Sequence, residues 1–360
     1  MKILYLAPEH VSGTLSLFKR EHERRGDTCR FITFWHSRWD FPDDICLNLH
    51  GMPNHGWVRG LRKLVAHDPH AIPSRVVEDR LPHWTPNPVA RALHALRDER
   101  NWRKINAAIR QHELFAFDVL HLDGGADFTR DARFARTFKS LGKPIIAYYH
   151  GSDLRSRGYI PAVDRITDLR LTPEWDLAAI DRRLCYQYLP LDLSRFKAKP
   201  YAPGTVLRIG HAARNPQKGT AHVQRAVAEL SRTHRVELVL IQNMTHDQAL
   251  AAKESCDLFV DQLTNEGGWG YGMSGVEALA MGIPVVTNVP AAMSQLIGDH
   301  PFVQADPASI SDVLRALVDN PARCADLAAR GRAWVDERHE VRRVVDTLYA
   351  HYQKLGLAAA

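Results

Sequence analysis

The sequence predicts an α/β protein of two parallel-sheet domains, and three observations carry that expectation. The chain has 360 residues, enough for about two domains of ordinary size. Short apolar runs alternate with segments of helical periodicity, once in the N-terminal half and again after residue 205, and strands that alternate with helices build parallel sheets. Between the two cycles lies Lys197-Ala-Lys-Pro-Tyr-Ala-Pro-Gly204, whose prolines and glycine mark a linker. The expected organisation is one α/β unit over 1–196, a linker over 197–204, a second α/β unit over 205–335, and a helical segment over 336–360 that packs back on the first unit.

Each element follows from its local pattern. Lys2–Ala7 is an apolar run ended by Pro8, as suits a buried first strand. Pro8–Gly13 reads as a loop. A helix carrying Leu15, Leu17 and Phe18 runs on to Arg25, and Cys29–Trp35 reads as the second strand. Trp39–His94 is rich in Pro, His and Trp, so irregular chain with short helices is expected there. Asn101–His112 places Trp102, Ile105, Ala108 and Ile109 on one helical face. A strand over Asp118–Leu122, a basic helix over Arg130–Ser140 and a strand over Pro144–Tyr149 follow. In the second cycle the strands are Val206–Gly210, Val236–Ile241, Leu258–Leu263 and Pro284–Thr287. The helices between them are Thr220–Thr233, His246–Ser255 and Ser274–Met281, the last stopped by Gly282 and Pro284. Long helices finish the chain. In open parallel sheets ligands bind at the carboxyl ends of strands, so two such units facing each other would hold a ligand in the cleft between them.

Composition narrows the function classes. Hydrophobic residues are 45% and charged residues 24%, ordinary for a soluble globular chain, which excludes a disordered or low-complexity protein. The five cysteines, Cys29, Cys46, Cys185, Cys256 and Cys324, are scattered without a Cys-x-x-Cys pair, so neither a thiolate zinc site nor a disulfide framework is expected. Free thiols fit a reducing compartment. The first apolar run is too short for a signal peptide, and no run approaches the ~18 apolar residues of a membrane span. The expectation is a cytoplasmic protein. Its net charge is +6. Residues 54–110 hold eleven basic and five acidic side chains, also +6, so the excess sits in one segment. There Trp57, Trp84 and Trp102 alternate with Arg59, Arg62, Lys63, Arg100, Arg103 and Lys104. That mixture suits peripheral contact with an anionic membrane at its inner face, or a phosphate-bearing acceptor; a solvated helical face is the plain alternative. No nucleic-acid motif accompanies the charge.

Three segments carry chemistry. The first is Glu266-Gly-Gly-Trp-Gly-Tyr-Gly-Met-Ser-Gly-Val-Glu277, with five glycines between 267 and 275 directly before a helix. Glycines let backbone approach a ligand closely, and a helix N-terminus offers amides and a positive dipole end to phosphate. Glu277 stands one turn in, where it could accept from sugar hydroxyls. Equally, Ser274 and Glu277 have Ser-x-x-Glu spacing, and the pair could be a capping box with no ligand at all. The second is Leu207-Arg-Ile-Gly-His-Ala-Ala-Arg-Asn-Pro-Gln-Lys-Gly-Thr220. Here Arg214 and Lys218 follow a strand and could neutralise a diphosphate, or be exposed loop cations. The third is Tyr148-Tyr-His-Gly-Ser-Asp-Leu-Arg155, with His150 at a strand end, either donating into the cleft or structural.

Together these segments resemble the retaining nucleotide-sugar glycosyltransferases of family 4, whose GT-B fold has two facing Rossmann-like domains. His150-Gly-Ser-Asp153 resembles their His-Gly-x-Asp. Pro190-Leu-Asp-Leu-Ser-Arg-Phe196 resembles a shortened Pro-Asn-Gly-Val-Asp-x-x-x-Phe. Lys218-Gly219 resembles the Lys-Gly of their phosphate loop. Gly270-Tyr-Gly-Met-Ser-Gly-Val-Glu-Ala-Leu-Ala-Met-Gly-Ile-Pro-Val-Val286 resembles Gly-Phe-Gly-x-x-x-x-Glu-Ala-Met-Ala-x-Gly-x-Pro-Val-Val. The likeness runs from about His150 onward and is weak before Asp118. Two departures stand out. Trp269 occupies a position where the family has a second Glu, which contacts the donor sugar. His211 replaces the usual Arg, leaving Arg214 to supply that cation. A subset with a similar His-Ala…Lys-Gly-Thr loop also carries an Asp-Gln strand end, as in Asp261-Gln262.

The resemblance implies an enzyme that moves a sugar from a nucleoside diphosphate sugar to a hydroxyl acceptor, glycan or lipid-linked, in polysaccharide or glycoconjugate synthesis. The N-terminal domain would bind the acceptor and the C-terminal domain the donor. No cofactor is implied beyond the donor substrate, and no metal; the chain has no Asp-x-Asp, and fixed cations with a helix end would hold the diphosphate. Catalytic roles fall to His150, Arg214 and Lys218. Substrate binding falls to Gly13, Asp153, Trp269, Gly272, Met273, Ser274, Gly275 and Glu277, with Glu277 on the ribose. The alternatives are a nucleotide-sugar-binding protein without transferase activity and a sugar-nucleotide epimerase on the same fold.

Overall fold

Lys2–Ala7 forms β1 of a seven-stranded sheet, and its run of Ile3, Leu4 and Leu6 is fully buried, as expected of a strand covered on both faces. The computed structural model describes residues 1–37, 41–51, 80–212, 216–264 and 270–357. The first sheet runs β3-β2-β1-β4-β5-β6-β7, from β2 (Thr28–Thr33), β3 (Ile45–Cys46), β4 (Val119–Asp123), β5 (Ile145–Tyr148), β6 (Leu169–Thr172) and β7 (Leu184–Tyr186). Every pairing is parallel. A second sheet runs β12-β11-β10-β8-β9, from β8 (Leu207–Ala212), β9 (Val236–Ile241), β10 (Leu258–Val260), β11 (Val285–Thr287) and β12 (Val303–Gln304). It too is parallel throughout. The two-domain α/β architecture expected from the sequence is therefore present, each sheet with its own apolar core.

The chain divides into 1–190 with 344–360, and 191–343. The division falls ahead of the 197–204 stretch because Leu191 is already bonded into the second unit. Its amide donates to the His339 carbonyl at 2.6 Å, and its carbonyl accepts from the Val341 amide at 2.9 Å. The C-terminal helix Val341–Lys354 belongs to the first unit from Val344 onward. There Val344, Val345, Leu348 and Tyr352 are buried, the spacing of one apolar helical face.

The sequence reading missed the helix Pro88–Gln111, which starts well before Asn101. Asn87 caps it by accepting from the Ala90 amide, with Pro88 at the first position, the arrangement that fixes a helix start. Its first half escaped notice because it buries little: Val89, Leu93 and Leu96 are 70%, 62% and 69% exposed. The short strands β3, β6, β7 and β12 were also missed; they are too brief for periodicity to show. No helix among the described residues is long and apolar enough to cross a membrane.

Tyr352 is the last large side chain of the first unit's core. It is 1% exposed, and its hydroxyl shares a 2.7 Å hydrogen bond with His121 Nε2. Burial holds the His121 imidazole well below its usual proton affinity, so the ring is neutral and the bond is between neutral groups. Tyr352→Ala should destabilise the protein by about 3–5 kcal/mol, as buried aromatic truncations do. Tyr352→Phe keeps the packing, leaves His121 unpaired, and should lose only about 1–3 kcal/mol. Urea unfolding of both variants checks the order; equal losses would mean that the hydroxyl, not the ring, holds the helix.

Candidate functional site

The second unit brings most of its candidate residues to the carboxyl ends of β8 and β10. Asp261 follows β10 and is fully buried. Its Oδ1 accepts from Lys218 Nζ at 3.0 Å, and its Oδ2 accepts from the Gly272 amide at 2.5 Å. One carboxylate thus ties the loop after β8 to the start of the helix Met273–Ala280. A Cβ at Gly272 or at Gly275 would stand 3.1 Å from that same oxygen, so a side chain at either position would press Asp261 outward by a few tenths of an ångström. Burial pushes the Asp261 carboxyl up, but Lys218, the Gly272 amide and Lys253 outweigh it, and the group lies below the usual carboxylate range. It is ionised at neutral pH.

The Ser274–Glu277 capping box does not form. The N-cap is Gly272, without a side-chain cap, and both polar side chains turn instead to Lys253. Lys253 Nζ donates to Glu277 Oε2 at 2.5 Å and to Ser274 Oγ at 3.0 Å. Lys253 is 2% exposed and lies over the Phe259 ring at 5.2 Å. It comes from the helix His246–Glu254, whose start is fixed by a capping box of Thr245 and Gln248. Sequence reasoning missed Lys253, and nothing local points to it: it is one lysine on a helix, and its partners are distant in sequence. Glu277 keeps Oε1 outside this pair. The first-turn amides of the helix, at Met273 and Ser274, have no intrahelical acceptor by helix geometry.

His211, which stands where the resemblance calls for an Arg, is a buried structural residue. Burial lowers its proton affinity, with Lys218 adding to the effect. The neutral ring donates from Nδ1 to the Val260 carbonyl at 2.8 Å. Its Nε2 therefore accepts from Thr220 Oγ1 at 3.1 Å. It fastens β8 to β10 and to the helix Thr220–Leu230, and it supplies no cation. Arg214 and Trp269 lie outside the described residues.

In the first unit, His150 and Asp123 stand at the carboxyl ends of β5 and β4. His150 Nε2 meets Asp123 Oδ1 at 2.6 Å, and the ring is about a third exposed. Burial works against its charge, but Asp123 outweighs that, and the imidazole is raised to about 9. It is an imidazolium at neutral pH, with Nδ1–H not engaged by any described residue. Asp153 does not point outward: its Oδ2 accepts from the His150 amide at 3.0 Å, so it shapes the turn after β5. Gly13 precedes the helix Thr14–Arg24 with a φ of +74°, at the carboxyl end of β1. Thr14, Leu15, Phe18, Asp123, Tyr148 and His150 line one small cavity there. Asp123 was missed, although an Asp at a strand end before Gly124-Gly125 is a legible signal.

No protein-family model matches the sequence, and no curated protein matches it. Solved structures do resemble it. The Anabaena protein HepE, in complex with UDP, aligns over 98% of this chain and 100% of its own, with a TM-score of 0.57 and 14% identity. A sucrose-phosphate synthase from Thermosynechococcus elongatus aligns over 99% of each chain, with a TM-score of 0.59 and 14% identity. The N-terminal domain of Candida albicans trehalose-6-phosphate phosphatase covers 99% of this chain and 97% of its own, with a TM-score of 0.64 and 9% identity. At such identities the likeness establishes architecture: this chain has two parallel-sheet α/β domains of the GT-B glycosyltransferase fold.

Proposed function

We propose that the protein is a glycosyltransferase that moves a sugar from a nucleoside diphosphate sugar to a hydroxyl acceptor, with retention and without a metal, in polysaccharide or glycoconjugate synthesis. The observation that carries this reading is the Asp261 carboxylate, which holds a lysine and a helix N-terminus at adjacent strand ends. Lys218 has three N–H donors and gives one to Asp261, leaving two for a diphosphate. The amides at Met273 and Ser274 add a second anion-binding element. Charge building on a departing nucleoside diphosphate would meet groups already in place, the preorganised electrostatics that acyl and phosphoryl transfer also use. Glu277, fixed by Lys253 through one oxygen, offers the other to ribose hydroxyls. We assign the His150 imidazolium to the donor sugar. Incubation with UDP-, GDP-, ADP- and dTDP-sugars tests the proposal, with UDP-sugars first because HepE holds UDP. Nucleoside diphosphate released with one donor supports transfer. An epimer, or binding without turnover, refutes it in favour of an epimerase or a binding protein.

The membrane part of the proposal rests on the helix Pro88–Gln111. Val89, Leu93 and Leu96 stand exposed at i, i+4 and i+7, and Arg100 and Arg103, both exposed, continue the same stripe. An apolar stripe beside cations suits an anionic bilayer surface. The remainder of the basic segment, 54–79, lies outside the described residues.

Lys218→Ala should lower turnover by about 10²–10³, the effect of removing one preorganised charge contact. Unchanged turnover would remove the diphosphate role.

Glu277→Gln should weaken nucleoside diphosphate binding and also lower Tm, because it leaves Lys253 buried without its carboxylate, a loss of about 3–5 kcal/mol. Adding Lys253→Met should recover most of the stability and none of the affinity. Recovery of both in calorimetry and thermal melts would make Glu277 purely structural.

Vesicles containing phosphatidylglycerol should retain the protein in a salt-sensitive manner, and Leu93→Ser with Leu96→Ser should reduce retention. Equal retention on neutral vesicles would defeat the membrane reading.

A further inference from the structure

Beside the carboxyl end of β4, the first unit gathers three guanidinium groups around two engaged carboxylates. Arg97 Nε donates to Asp98 Oδ1 at 2.9 Å. The other oxygen of Asp98 accepts the backbone amide of Arg130 at 2.6 Å. Arg157 donates from Nε to the Gly158 carbonyl at 3.2 Å and from Nη2 to the Gly124 carbonyl. Asp153 is occupied by the His150 amide. Among the described residues the Arg130 guanidinium has no hydrogen-bonded carboxylate of its own. It lies over the Trp84 ring, 5.5 Å from the centroid, and its buried Nε has no hydrogen-bond partner among the described residues.

The surroundings work against this charge. Burial, then Arg157 and Arg97, push the proton affinity of Arg130 down, and Asp98 and Asp153 offset only part of it. The guanidinium nevertheless remains charged at neutral pH. His94, edge-on to Trp84 at 5.3 Å, is driven to about 4 by burial and by Arg97 and Arg130. The ring is neutral and adds no charge. A partly buried cation whose neighbouring carboxylates offset it only in part, and whose buried Nε–H is unpaired among the described residues, costs folding free energy, and such groups concentrate where a ligand completes them.

We infer that Arg130, flanked by Arg97 and Arg157, is a binding site for a phosphate group carried by the acceptor. A guanidinium packed by one face on Trp84 keeps its edge for two parallel N–H···O contacts, the geometry that suits a phosphate. The phosphate brings the negative charge that three arginines and two carboxylates lack. The site adjoins the His150–Asp123 pair through the chain itself. Gly124, whose carbonyl holds Arg157, follows Asp123, and a Cβ on Gly124 would lie 3.3 Å from Asp153 Oδ2. A phosphate seated on Arg130 would thus fix an acceptor beside the imidazolium. The word acceptor rests on the transferase reading above; the phosphate site does not.

The test is calorimetric titration of the full chain with inorganic phosphate, against chloride at matched ionic strength. The wild type should bind phosphate saturably. Arg130→Gln should weaken binding at least about tenfold, as expected for loss of a charged hydrogen-bonding group. Arg130→Lys, which keeps charge but loses the fork, should fall between them. The component of binding lost in Arg130→Gln should persist in Lys218→Ala, separating it from any phosphate taken up at the diphosphate site. Arg130→Gln should also melt no lower than wild type without phosphate, and gain less when phosphate is added; an arginine with a purely structural role would give a lower Tm. No saturable binding, or equal binding by wild type and Arg130→Gln, overturns the inference. Because no donor is present, phosphate binding without turnover on any nucleotide sugar would remove the transferase reading alone. Arg130-dependent binding of glycerol 3-phosphate would place the phosphate on a soluble acceptor. Arg130-dependent retention on phosphatidate vesicles, released by inorganic phosphate, would place it on a lipid.

Discussion

A buried carboxylate at the end of β10 organises the second domain's candidate site. Asp261 has no exposure, so its charge must be met by protein groups, and it is met by Lys218 and by the Gly272 amide. A side chain at position 272 or 275 would press on its oxygen, with a Cβ only 3.1 Å away. Loop, helix start and cation are therefore not three separate features. They are the partners that one desolvated charge requires, and they leave the lysine's remaining donors and the first-turn amides at the same place.

The same principle recurs around it. Lys253 is buried against Glu277 and Ser274, and His150 is held as an imidazolium by Asp123. In each case a charge at a strand or helix end is fixed by a partner that packs behind it. A side chain held on one side by a partner loses little further freedom when a ligand meets its other side. Glu277 shows this directly, with one oxygen engaged and one free of the pair. Arg130 is the exception: it has packing from Trp84, but among the described residues its Nε–H has no partner.

Much of the architecture was legible because it is local. The strands β1, β8 and β9 and the helices after them follow from apolar runs, turn residues and caps within a few positions. The elements that escaped, among them β3, β6, β7, β12 and the start of the helix at Pro88, are short or exposed, and their existence depends on neighbours that pattern does not reveal. The position of Lys218 after β8, of the glycines before the helix Met273–Ala280, and of His150 at a strand end was legible in the same way.

The sequence alone thus determined two α/β cycles of parallel sheet. It left Glu277 equally a cap or a ligand, because Ser-x-x-Glu spacing is the same for both. Tertiary structure removed the cap, since Lys253 reaches Glu277 from another helix. It likewise decided that His211 is a neutral fastener, that Asp153 shapes a turn, and that Asp123 charges His150. Each of these outcomes depends on burial and on a partner far away in the chain. A local pattern specifies backbone conformation, whereas the charge state and free valence of a side chain are set by whatever the fold places against it.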